Sequence, residues 1–341
     1  MPISIPEALD AHDALAVAKA TQARTSLPRY LLSSAMAGAY VGVAVVLLVM
    51  VSAPLIAAQH PFAKLVQGSV FGIALTLVVF AGAELFTGNN MIMLQGFLRK
   101  KVSSIDVALV WVASLVGNFV GALGFAVLVN ASGIVTAGAP AGKVTVFKAA
   151  LAGIATAKHN LTGGQLFIRA VLCNMLVCLA LWMAARAASD GAKLIVLWWG
   201  LLAFISAGFE HSIANMTSLS LAALVGVGTW GDLTRNLVYT VPGNLVGGGL
   251  FVGLAYGWLG SPASPRTARL SRPAPSVPWT EDDLDVEPEA ELVAPAAPPR
   301  RPAATKAAPK PRKAATTTPR TSAGTPRRVA AGAGRTNGRS R

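Results

Sequence analysis

The chain is 341 residues long, 53% hydrophobic and 13% charged, against the roughly 25% charged residues of an ordinary soluble domain. That composition excludes a soluble globular enzyme and points to a polytopic membrane protein. The formal net charge of +14 does not mark a nucleic-acid binder, because residues 261–341 hold 15 Lys/Arg against 7 Asp/Glu and so supply +8 of the excess.

In chain order, residues 1–29 are polar and mixed in charge, with Lys19, Arg24 and Arg29, and lack the apolar core of a cleavable signal. They are expected to form a cytoplasmic N-terminal segment. A bilayer crossing takes about 20 apolar residues, and the candidates are 30–58, 66–97, 107–129, 166–185, 192–224 and 237–259. The second and fifth are over-long and interrupted. Their interruptions read Gly82-Ala83-Glu84-Leu85-Phe86-Thr87-Gly88-Asn89 and Gly208-Phe209-Glu210-His211-Ser212-Ile213-Ala214-Asn215, each fitting G-x-E-x-x-x-x-N. Hydrocarbon offers no partner to a carboxylate, an imidazole or unwound backbone. The two breaks are therefore predicted to meet at one polar site inside a bundle. Breaks in the second and fifth of six spans imply two halves of three. An odd number per half requires the second half to be inverted. The predicted fold is an all-α membrane protein in which residues 30–260 form six transmembrane helices as two inverted three-helix repeats.

Orientation follows from Lys and Arg. Arg99, Lys100 and Lys101 follow the second span, and Arg186 and Lys193 follow the fourth. With both termini cytoplasmic, all fall on the side of Lys19. Lys143, Lys148 and Lys158 run against this count, and Lys158 is expected to fold back into the mouth of a pore. Cys173 and Cys178 show no metal spacing and read as free buried thiols. Gly117, Gly121 and Gly124 in the third span, and Gly243, Gly247, Gly248 and Gly249 in the sixth, are a helix-packing signal. Residues 261–341 are rich in Pro, Ala, Thr and Arg and are predicted to be a disordered basic cytoplasmic tail. Anionic lipid headgroups suit its charge, and nothing in it specifies a nucleic acid.

Five runs carry a resemblance. They are Ser33-Ser34-Ala35-Met36-Ala37-Gly38-Ala39-Tyr40-Val41-Gly42, Ala83-Glu84-Leu85-Phe86-Thr87-Gly88-Asn89, Cys173-Asn174-Met175-Leu176-Val177-Cys178-Leu179-Ala180, Glu210-His211-Ser212-Ile213-Ala214-Asn215-Met216 and Gly243-Asn244-Leu245-Val246-Gly247-Gly248. In this order, over about residues 30 to 260, the chain resembles the formate/nitrite transporter family, whose members are pentamers of aquaporin-like protomers. Gly-x-Glu-Leu-Phe-Thr-Gly and Glu-His-Ser-x-Ala-Asn-Met-Thr are most similar to its nitrite-channel branch. The resemblance implies a homopentameric cell (inner) membrane channel for small monovalent weak-acid anions. Nitrite is the first expectation, in the setting of nitrate assimilation, and formate is the alternative. No cofactor or metal is implied.

The resemblance also places His211 in mid-pore facing Thr87, and Lys158 at the periplasmic mouth. It implies that Asn174 and Asn244 orient Lys158 and His211 or line the path. Phe71, Leu75 and Phe204, with Leu85 and Phe86, become pore constrictions. The residues themselves add the chemistry. An imidazole titrates ordinarily near pH 6.5 and donates a hydrogen bond to an anion; when protonated it can pass on a proton. Thr87 offers a hydroxyl that also suits a broken helix. Glu84 and Glu210 read as braces for the breaks, since carboxylates lining an anion path would repel it. A bare anion crossing an apolar ring loses its hydration at high cost, and the neutral acid loses far less, which favours proton-assisted passage at His211. An enzyme is not supported. There is no G-x-S-x-G elbow and no G-x-x-x-x-G-K-[ST] loop, and Glu210-His211 does not form H-E-x-x-H.

Overall fold

A computed structural model of the chain describes residues 1–138 and 143–260. The chain divides into two units, Met1–Arg272 and Pro273–Arg341. The second unit, and with it the predicted tail from residue 261, lies outside the described residues. Every regular element among the described residues is helical.

Helix α1 (Ile5–Thr25) starts where the Ser4 hydroxyl accepts the Glu7 N–H at 3.3 Å. It falls within residues 1–29, and its buried side chains are mostly small: Ala8, Ala16, Ala20 and Ala23. Small residues let it lie close on the helices beneath. Helix α2 (Leu27–Ala57) has 31 residues, roughly 46 Å at the α-helical rise, and so exceeds a hydrocarbon core of about 30 Å. Helices α3 (Ala63–Phe71) and α4 (Ile73–Phe80) follow, then a break, then α5 (Phe86–Leu98). Helices α6 (Ser104–Ala131), α7 (Val146–His159), α8 (Gly163–Arg186) and α9 (Asp190–Ser206) lead to a second break before α10 (Ser212–Leu224). Helix α11 (Trp230–Val246) continues through a π-helical stretch, Gly247–Leu254, into α12 (Ala255–Leu259). Reciprocal capping boxes mark three starts: Ser103 with Asp106, Thr162 with Gln165, and Thr229 with Asp232.

Five stretches are long and apolar enough to cross a membrane: Leu27–Ala57, Ala63–Phe80, Ser104–Ala131, Gly163–Arg186 and Trp230–Leu259. The predicted span 192–224 is carried by α9 and α10, of 17 and 13 residues. Neither piece alone reaches the length of a crossing, and the second break lies between them.

Two helix pairs approach backbone to backbone. A Cβ on Gly121 of α6 would stand 1.8 Å from the Ala35 carbonyl oxygen of α2, and one on Gly38 would stand 2.0 Å from the Asn118 carbonyl oxygen. In the second half, a Cβ on Gly247 would stand 2.1 Å from the Val171 carbonyl oxygen, and one on Gly243 would stand 2.5 Å from that of Phe167. Only glycine fits such contacts. Gly124 departs from the packing expected of it, since a Cβ there would meet nothing within 4 Å. It continues the exposed stripe of Val112, Val116 and Val120 on the outer face of α6. Cys173 and Cys178 are free and buried.

Candidate functional site

The two breaks have the same backbone construction. Gly82 and Gly208 adopt φ of 75° and 74°, a left-handed conformation that costs a side-chain-bearing residue about 1–2 kcal/mol. This turn ends the preceding helix and lets the Ala83 and Phe209 N–H groups fold back onto the Val78 and Phe204 carbonyls, at 2.9 and 3.0 Å. The chain then runs extended. Leu85 (φ −101°, ψ 121°) and His211 (φ −102°, ψ 113°) are matched positions, each just before the next helix. The Glu84 and Glu210 N–H groups leave their own segments to reach the Ser33 and Arg169 carbonyls, at 3.4 and 3.2 Å.

Each break also carries a carboxylate held by a lysine and an asparagine. Glu84 accepts from Lys19 Nζ at 2.7 and 2.6 Å through its two oxygens, and from Tyr30 Oη and Asn89 Nδ2 at 3.1 Å each. Glu210 accepts from Lys158 Nζ at 2.8 Å, Asn215 Nδ2 at 2.7 Å and Asn236 Nδ2 at 3.4 Å. Both ion pairs are largely shielded from solvent. Glu210 holds Lys158 directly. The two asparagines expected to orient Lys158 and His211, or to line the path, both bond to backbone. Asn174 Nδ2 donates to the Thr87 carbonyl at 3.1 Å and the Asn244 carbonyl at 2.6 Å. Asn244 Oδ1 accepts the Ser212 N–H at 2.8 Å, and its Nδ2 donates to the Glu210 carbonyl at 3.0 Å and the Ala170 carbonyl at 2.8 Å. Asn244 thereby grips the chain on both sides of His211.

His211 and Thr87 come together from opposite breaks, with His211 Nε2 3.4 Å from Thr87 Oγ1 and both residues buried. The other ring nitrogen is occupied. His211 caps α10, and its Nδ1 lies 3.2 Å from the Ala214 N–H. A backbone N–H only donates, so Nδ1 is the acceptor and the ring proton sits on Nε2, directed at Thr87. Phe204 stacks on the imidazole with centroids 5.8 Å apart and an interplanar angle of 22°. Phe71 meets Phe204 edge-on at 5.8 Å.

One cavity reaches His211, and another lies beside the first break. The first, of about 150 Å³, is lined among others by Phe71, Lys158, Phe204, Glu210 and His211. The other, of about 530 Å³, is lined among others by His12, Lys19, Glu84, Leu85 and Lys193. Phe71, Phe204 and Leu85 belong to one buried apolar cluster, together with Leu75 and Phe86. Each cavity thus offers a lysine–glutamate pair and ends on apolar side chains. The two glutamates expected to brace the breaks thus also line the cavities, each with its charge matched by a lysine. Among the described residues no group of His, Cys, Asp or Glu has the geometry of a metal site.

Sequence reasoning missed two contributors. Lys19 entered only as a charge that orients the chain, although from α1 it pairs, half-buried, with Glu84. Asn118 went unread. A signal for it existed, since Gly117-Asn118-Phe119-Val120-Gly121 parallels Gly243-Asn244-Leu245-Val246-Gly247 at an offset of 126, the same that separates Glu84 from Glu210 and Asn89 from Asn215.

The family profile described as "Formate/nitrite transporter" matches residues 7–258. The chain belongs to the formate/nitrite transporter family. Among similar family members is the "Nitrite transporter NirC" of Salmonella typhimurium (strain LT2), 38% identical over 252 residues, covering 71% of this chain and 87% of that one. A "Probable formate transporter" of Methanothermobacter thermautotrophicus is 41% identical over 244 residues, covering 68% of this chain and 89% of that one. A solved structure described as a "Pentameric formate channel with formate bound" superposes with a TM-score of 0.59 at 28% identity, covering 69% of this chain and 98% of that one. The sequence similarity to the nitrite-channel branch therefore stands. The protein is a multi-pass membrane transporter of the formate/nitrite transporter family and not an enzyme.

Proposed function

We propose that this protein is a pentameric cell (inner) membrane channel for small monovalent weak-acid anions, nitrite before others, with proton-assisted passage at His211. Two inverted three-helix repeats form each protomer, and both termini are cytoplasmic. The observation that carries the reading is the His211–Thr87 contact, 3.4 Å long, where two matched breaks converge behind the Phe71–Phe204 pair. Lys158 draws the anion into one cavity and Lys19 does so in the other. The anion then meets Nε2–H of His211 and the Thr87 hydroxyl, whose hydrogen bonds replace its lost water, and a proton taken from the aqueous side and carried with the anion offsets the charge that apolar walls reject. Chloride, the anion of a strong acid, has no such route. The positive residues Arg99, Lys100, Lys101, Arg186 and Lys193 support the orientation.

Formate is the second reading, supported by the 41% identity to a probable formate transporter and by the likeness to a solved formate channel. Proteoliposomes carrying an internal pH dye test both readings. A nitrite gradient should change internal pH, a chloride gradient should not, and His211→Phe or Thr87→Val should reduce the nitrite signal about tenfold or more. Equal flux in wild type and His211→Phe would overturn the role of His211. A signal with formate alone would make formate the substrate.

A further inference from the structure

The second break is gripped by Asn244 on either side of His211, as described above. The first break has the same grip from a residue in the middle of a mostly apolar helix. Asn118 of α6 accepts the Phe86 N–H at 2.9 Å through Oδ1. Its Nδ2 donates to the Glu84 carbonyl at 2.8 Å and to the Ser34 carbonyl at 2.7 Å. The side chain is completely buried and both of its amide hydrogens are used. The three partners correspond one to one with those of Asn244: Phe86 with Ser212, Glu84 with Glu210, and Ser34 with Ala170.

The surrounding glycines make the reach possible. Gly117 and Gly121 bracket Asn118 and admit α2, a Cβ at Gly117 standing 2.3 Å from the Ser34 Cβ. Gly243 and Gly247 do the same for α8 around Asn244. A short amide can therefore cross from one helix to a carbonyl of the next while holding a third segment. Phe86 N–H is one of the orphan donors at the start of α5, where Leu85 supplies no side-chain cap. Asn118 supplies that cap from another helix.

We propose that Asn118 is a positioning residue for transport. By fixing the chain on both sides of Leu85, it sets where α5 begins and hence where Thr87, the second residue of that helix, presents its hydroxyl to His211. Asn244 fixes the imidazole and Asn118 fixes its partner. The two amides together define the spacing of the contact through which the anion passes. This inference rests on the proposed role of the His211–Thr87 contact, and it is tested by a cycle that isolates the effect of Asn118 on Thr87.

Nitrite flux is measured in proteoliposomes for wild type, Asn118→Ala, Thr87→Val and the double variant, each first shown to be assembled by size-exclusion chromatography. Asn118→Ala should lower flux about tenfold to a hundredfold, the scale of a misplacement near 1 Å. In the Thr87→Val background the same change should lower it less than about twofold, because the hydroxyl it positions is already gone. Multiplicative losses in the double variant would overturn the proposal, as would wild-type flux in Asn118→Ala. A second measurement needs no variant: hydrogen exchange in the wild-type protein should protect the Phe86 N–H as strongly as the Ser212 N–H, and free exchange at Phe86 would overturn it too. Absence of nitrite flux in the wild type would strike the transport reading, while protection at Phe86 would still report the clamp.

Discussion

His211 performs two tasks with its two ring nitrogens. Nδ1 caps α10 and Nε2 faces Thr87, so the helix start and the transport contact depend on one side chain. The ring could accept a second proton only on Nδ1, which would break the cap. Nearby, Lys158 and Glu210 form a pair whose side chains are 16% and 5% exposed. Their attraction is set against the desolvation of both charges, so the pair is weak evidence of stability, whereas deleting one member leaves the other uncompensated. Glu210→Gln is accordingly expected to destabilise the assembled protein by about 3–5 kcal/mol, read as a lower unfolding midpoint in detergent. Lys158→Met made together with it should recover most of that loss. At this scale His211, Thr87 and the two glutamates were legible, because a polar residue inside an apolar run demands an explanation. Lys19 was not, because a lysine among other charged residues in a polar segment looks like any solvated lysine.

The elements show what ties α1 to the bundle. Its anchors are polar: Arg99 bridges Asp10 and Asp13, Arg24 pairs with Asp106, Lys19 pairs with Glu84, and His12 Nδ1 lies 2.7 Å from Gln95 Oε1. His12 also packs edge-on against Trp182. Burial holds its imidazole below the ordinary value of 6.5; the Gln95 hydrogen bond opposes that, while Lys19 adds to it. The docked helix therefore carries a neutral ring, and an undocked α1 takes up a proton more readily. Docking is at full strength above pH 6.5 and weakens as pH falls through the lowered value. Once corrected for the slowing of intrinsic amide exchange at lower pH, hydrogen exchange across residues 5–25 should accelerate as pH falls from 7.5 to 5 in the wild type. The acceleration should shrink in His12→Gln, which keeps a polar partner for Gln95 without the titration; equal acceleration in both would assign the effect to another group. The helical spans themselves were readable because length and hydropathy decide them. Gly124 packs on no helix of its own protomer, because small-residue spacing marks two faces of a helix alike and only the neighbours tell which face turns inward.

For the molecule as a whole, most of the excess charge lies beyond the helices. Residues 261–341 carry +8 of the +14, and the family match ends at residue 258. Deleting residues 265–341 is expected to leave nitrite flux per assembled protein within about twofold of wild type, because the paired breaks, their lysines and the asparagine clamps all precede residue 260. Flux lost from a normally assembled deletion variant would give the tail a role in transport. The outer stripe of α6, with Val112, Val116, Val120 and Gly124 exposed, suits hydrocarbon or a second copy of the chain, and exposed apolar surface is the ordinary state of a lipid-facing helix.

What the amino-acid sequence determined by itself was the all-helical, apolar class of the chain, the place of the two interruptions and the residue pattern they share. Hydrocarbon is a uniform solvent, so composition and length suffice to say which segments it accepts and which residues it refuses. The tertiary structure decided the partners: Lys19 for Glu84, Asn118 for the first break, and Ala214 for the second nitrogen of His211. Those pairings join residues far apart in the chain or hidden in the backbone. Distance and direction between folded segments select them, and no residue type announces either in advance.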